Sequence, residues 1–150
     1  MKKTMKELLH YSDALLKKGL SKKRVFELVL MEFEGVPYKW GGQSLSGSDC
    51  SGSVCTAMNL ALDCSMRVTA DELYRRYFTE DDKAFYDGAL FYAAFFLDAE
   101  GKAVHVAGWC GKCYLNMSSF EEGKCGHFRS ECELKRMYEH LVMKKRGMRI

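Results

Sequence analysis

One change of periodicity divides this chain. Up to residue 78 the apolar residues recur at helical spacing; from residue 89 they run together or alternate. A first helix is expected over residues 4–18, with Leu8, Leu9, Leu15 and Leu16 on its apolar side and Gly19 ending it. Ser21 can cap a second, running to about residue 34 through Val25, Phe26, Leu28, Val29 and Phe33. A third should cover 50–62, with Val54, Ala57, Met58 and Ala61 facing inward. A Thr69/Glu72 capping box opens a fourth over 70–78. The aromatic run 89–97 then reads as a buried strand. Residues 103–110 and 113–118 follow as two strands joined by Gly111-Lys112, a two-residue hairpin loop with Gly first. Ser130 and Glu133 mark a further short helix, and 140–150 fits either strand or helix. Helices followed by an antiparallel sheet make an α+β fold.

With 150 residues, one proline and no Gly/Ser linker, a single domain is expected. A hydrophobic share of 47% with 29% charged residues fits a soluble globular chain. The net charge of +3 is too small to argue for a nucleic-acid partner, though mild basicity suits approach to an anionic polymer. No apolar signal segment follows the charged start, and no stretch approaches a membrane span. The expected location is therefore cytoplasmic, or outside the cell by a phage or another route without a signal peptide. Oligomeric state is left open.

The chemistry concentrates in Tyr38-Lys39-Trp40-Gly41-Gly42-Gln43-Ser44 and Gly47-Ser48-Asp49-Cys50-Ser51-Gly52. A thiol at the first turn of a helix meets unsatisfied N–H groups and the positive end of the dipole, which lower its pKa and favour the nucleophilic thiolate. The surrounding glycines admit a substrate carbonyl to the sulfur, and the Cys50 N–H is placed to help hold an oxyanion. A buried core cysteine is the plain alternative.

A nucleophile of this kind needs a base. Of the four histidines, His10 and His140 read as surface residues and His127 lies in a glycine-rich loop, whereas His105 sits inside a strand. With Gly111-Lys112 as the turn, Cys110 faces Cys113, Ala107 faces Asn116 and His105 faces Ser118. His105 and Asn116 then share a face as diagonal neighbours, so the Asn amide oxygen can accept from the imidazole and fix its tautomer. The alternative is a histidine satisfied by backbone.

Residues 38–52 resemble the signature Y-x-W-G-G-x-S-x-x-G-x-D-C-S-G of the NlpC-type peptidases (NlpC and its sixty-kilodalton relatives). Asp87-Gly88-Ala89-Leu90-Phe91-Tyr92, His105-Val106-Ala107 and Asn116-Met117-Ser118-Ser119 are similar to its later segments in order and spacing. The resemblance implies a papain-like core, with a Cys-bearing helix packed on an antiparallel sheet. It also implies hydrolysis of cell-wall stem peptides through an acyl-enzyme, with Cys50, His105 and Asn116 catalytic. Asn stands where the family more commonly has His; Cys-His-Asn is a working papain-like set. Tyr38 and Asp49 match positions lining the family's substrate site, and Trp40 and Ser51 are taken with them as substrate-binding candidates. No cofactor or metal is called for. Residues 1–34 are expected to form a helical extension and 35–150 the catalytic core.

Cys110, Cys113, Cys125 and Cys132 fit a zinc knuckle, a disulfide or free thiols, while Cys55 and Cys64 read as core fillers. Two rival functions stand beside the wall peptidase: a papain-like amidase or acyltransferase on a non-wall substrate, and an inert wall-binding module.

Overall fold

The computed structural model describes residues 2–81 and 89–150. Asp82 of the acidic run and the Asp87-Gly88 pair lie outside them. Helix α1 (Met5–Lys17) is closed at its start by Thr4 and Glu7, each bonding the other's backbone N–H. Helix α2 (Lys22–Met31) is capped by Ser21 and buries Val25, Phe26, Val29 and Leu30. A two-residue hairpin, β1 (Gln43–Ser44) and β2 (Gly47–Ser48), leads into α3 (Cys50–Leu62), which ends at Asp63 in the left-handed region. The expected Thr69/Glu72 capping box opens α4 (Ala70–Glu72), which continues as a π-helical turn, Leu73–Tyr77.

Strands β3 (Leu90–Leu97), β4 (Ala103–Trp109), β5 (Tyr114–Met117), β6 (Gly126–Arg129) and β7 (Val142–Arg149) form one antiparallel sheet in the order β6-β5-β4-β3-β7. Helix α5 (Glu131–Met137) lies between β6 and β7 in sequence and starts at the expected Ser130/Glu133 box. The fold is thus α+β. The hairpin register is the one the turn demanded, with Gly108 opposite Leu115 and Trp109 opposite Tyr114; Gly111 takes the positive φ that a glycine-first turn requires.

β3 is buried on both faces, which explains its unbroken apolar run. Phe91, Ala93, Phe95 and Leu97 join the core under α1, α2 and α3, where Phe26 stacks on Phe91 at 4.3 Å. Leu90, Tyr92, Ala94 and Phe96 join a second cluster with Ala107, Tyr114, Leu134 and Tyr138. Residues 142–149 resolve as strand because β3 offers a second edge, and the whole of β7 pairs along it. Sequence reasoning missed β6: His127, read as a loop residue, pairs with Asn116. Cys55 is buried as expected, but Cys64 is exposed at the exit of α3 rather than filling the core.

Between β3 and β4 the register slips. Phe96 opposes His105 and Leu97 opposes Ala103, so Val104 is a bulged residue without a partner. The bulge sits directly beside His105 and turns Val104 outward.

Phe26→Ala is expected to cost about 3–5 kcal/mol, because it empties a fully buried site. Phe120→Ala, at a side chain 79% exposed, should stay within about 0.5 kcal/mol. Urea denaturation of the two variants checks both values.

Candidate active site

Asp49 organises the approach to Cys50. It is the N-cap of α3, and its Oδ1 accepts from the backbone N–H of Gly52 at 2.7 Å. Its Oδ2 accepts from the Gly41 N–H at 2.9 Å, tying down the loop that precedes the helix. Arg67, from the segment after α3, donates through Nη2 to both carboxylate oxygens at 2.9 and 2.8 Å. Ser51 completes the knot, donating to Asp49 and accepting from Arg67. The packing leaves no room at position 52: a Cβ there would lie 2.1 Å from the Gly42 carbonyl oxygen.

His105 projects from β4 and is 8% exposed. Its Nε2 meets Asn116 Oδ1 at 2.6 Å. Asn116 is fully buried, and its Nδ2 donates to Glu121 at 2.8 Å and to the Tyr138 hydroxyl at 3.2 Å. The Tyr138 ring lies 4.6 Å from the imidazole, and Phe96 packs 5.7 Å away. Glu121 is clamped in turn by Arg129, which donates from Nε and Nη2.

Cys50 and His105 line one cleft of about 900 Å³, with Tyr38, Trp40, Asp49 and Ser51 also on its walls. The four substrate-site candidates differ in what they offer. Trp40 is 87% exposed and Tyr38 is half-buried, whereas Asp49 and Ser51 are buried and engaged in the knot with Arg67. Phe120 and Val104, both exposed, add an apolar wall. His140 is exposed as expected, yet it lines this cleft too. His127 stands apart, with Nε2 2.8 Å from the Glu122 carbonyl oxygen and 3.5 Å from the Cys125 sulfur. Arg67, Glu121, Arg129 and Tyr138 were not foreseen; no local motif marks them, and Arg67 and Tyr138 reach the site from 18 and 22 residues away in sequence.

Burial governs both titrating groups. It pushes the Cys50 thiol up to about 11, with the nearby Asp49 charge adding to the rise and a hydrogen bond from the Val106 backbone opposing it. It pushes His105 down to about 4, against the hydrogen bond to Asn116 and the charge of Glu121. The sequence reasoning expected a helix terminus to lower the thiol; loss of water outweighs that help. At rest the cleft thus holds a neutral thiol and a neutral imidazole. All seven cysteines are free, and among the described residues no group of three or more His, Cys, Asp or Glu side chains is arranged to hold a metal ion.

A histidine depressed from 6.5 to about 4 favours the fold only while neutral. Its contribution is fully present above about pH 6.5 and is lost as pH falls toward 4, a change of about 3 kcal/mol. Stability measured by urea denaturation across this window should fall in the wild type. It should fall distinctly less in His105→Gln.

The NlpC/P60 family model matches residues 35–141. No curated protein matches the sequence. Among solved structures, NlpC1 from Trichomonas vaginalis superposes with a TM-score of 0.64 at 20% identity, over 85% of this chain and 44% of that one. NlpC2 from the same organism gives 0.63 at 21%, over 87% and 48%, so this chain spans under half the length of either. The NlpC/p60 domain of the peptidoglycan hydrolase SagA gives 0.57 at 16%, over 84% of this chain and 97% of that one. The match covers most of the sequence and the neighbours share its helix-on-sheet fold: the chain belongs to the NlpC/P60 family.

Proposed function

We propose that this protein is a cysteine peptidase that hydrolyses peptide bonds in peptidoglycan stem peptides, with Cys50 as nucleophile and His105 as general base and acid. The observation that carries the reading is the convergence of a helix-terminal thiol and an Asn-held imidazole on one open cleft.

The chemistry follows from the neutral resting pair. His105 is unprotonated above about pH 4 and so can accept a proton throughout the neutral range. As Cys50 Sγ bonds to the substrate carbonyl carbon, its proton passes to the imidazole. The imidazolium then gives that proton to the leaving amine as the C–N bond breaks, leaving a thioester. Water attacks the thioester, its proton is taken by His105, and the acid leaves as the thiol is restored. The backbone N–H of Cys50 would help hold the oxyanion. Asn116 Oδ1 accepts from imidazole Nε2–H and keeps the opposite nitrogen free for this traffic.

Trp40 and Phe120 stand exposed at the cleft and offer apolar contact to a bound chain, with half-buried Tyr38 on the same wall. We take Asp49 and Ser51 to act on substrate chiefly by holding the Cys50 loop in shape. Residues 1–34 are inferred to be a helical extension to a catalytic core of 35–150, with α2 contributing its apolar face to the shared interior. None of the described helices is long and apolar enough to cross a membrane.

Purified protein and Cys50→Ala, incubated in parallel with muropeptides and read by mass spectrometry, test the proposal. Hydrolysis products are expected from the wild type alone. Products from both proteins would remove Cys50 from the mechanism. Products from neither would favour an inert wall-binding module or a non-wall substrate.

A further inference from the structure

We propose that Glu121, anchored by Arg129, is a positioning residue that turns the Asn116 amide so that its oxygen, and not its nitrogen, meets His105. The inference rests on the Cys50–His105–Asn116 reading above and extends it by two residues.

The two ends of an Asn amide are nearly the same shape, so only their partners decide which way it points. The Tyr138 hydroxyl lies 3.2 Å from Nδ2 and 3.5 Å from Oδ1, and a hydroxyl can donate or accept, so it leaves the choice open. A carboxylate can only accept. Glu121 stands 2.8 Å from one end of the amide and therefore requires an N–H there. The oxygen is left for His105, whose Nε2 must supply the proton, and Nδ1 keeps a bare lone pair for proton transfer.

This logic holds only if Glu121 is ionised in a place where its side chain is wholly shielded from water. Burial alone raises its pKa, but the hydrogen bonds from Arg129 and Asn116 outweigh burial and hold it below the usual carboxylate range. Arg129 reaches both carboxylate oxygens and is itself steadied by Glu133. Glu121 does not line the cleft; its charge favours the protonated imidazole, but its hold on the tautomer passes through Asn116.

The test is the tautomer of His105, read from long-range proton–nitrogen correlation spectra of the ligand-free protein near neutral pH. The wild type should carry its proton on Nε2. Glu121→Gln can present either an oxygen or an NH₂ to Asn116, so it should show a mixed or reversed tautomer. Its kcat should fall by about tenfold with KM little changed. Glu121→Asp keeps an acceptor-only group and should restore much of the Nε2–H form. If Glu121→Gln does not fold, Arg129→Lys loosens the same clamp and should mix the tautomers. An Nδ1–H tautomer in the wild type, or an unchanged tautomer in whichever of these two variants folds, overturns the proposal. Because the spectra need no substrate, an intact Nε2–H tautomer in a protein that cleaves nothing would overturn the peptidase reading and leave this one standing.

Discussion

The carboxylate of Asp49 holds three separate stretches of chain around Cys50. It closes the N-terminus of α3 through Gly52, fixes the preceding loop through Gly41, and draws in the segment after α3 through Arg67. The first of these satisfies a buried N–H in the opening turn of α3, which has no partner within the helix. Gly42 and Gly52 pack so closely that a Cβ on either would meet backbone. The position of Cys50 is therefore set by hydrogen bonding and steric exclusion together. The sheet brings His105 to the same cleft, next to the bulge at Val104.

Burial of charge explains the rest of the site. Cys50 and His105 each lose enough water that neither is charged at rest. Such a pair is poised to exchange a proton only if the imidazole presents the correct nitrogen. The chain from Arg129 through Glu121 and Asn116 ends at imidazole Nε2. It holds the Glu121 carboxylate out of water with Arg129 partly exposed beside it, and that negative charge favours a protonated imidazole. The aromatic packing of Tyr138 and Phe96 keeps the ring from turning.

Much of this was legible in the sequence, and the divide has a physical basis. Elements that announce themselves locally were readable: the capping boxes at Thr69 and Ser130, the apolar run of β3, and the hairpin register set by Gly111. The Cys50 helix and the closeness of His105 to Asn116 followed from that local order. What tertiary contact decides was not readable. Strand β7 is charged and carries little periodic signal, and it is a strand because β3 has an open edge. Arg67, Glu121 and Arg129 gain their meaning from partners that only the fold brings near. The Cys50 pKa was misjudged because a helix terminus is visible in sequence, whereas the depth of burial is not.

The most direct check on the central claim is the rate at which iodoacetamide labels Cys50 at neutral pH, in the wild type beside His105→Ala, followed on the Cys50 peptide by mass spectrometry so that the other cysteines do not intrude. With His105 present to take the proton, labelling should be roughly a hundredfold faster than in the variant. The variant should become reactive only at distinctly higher pH, where the thiol must lose its proton unaided. Equal rates in the two proteins near neutral pH would mean that His105 does not act on Cys50, and the account of this cleft as a catalytic site would fail.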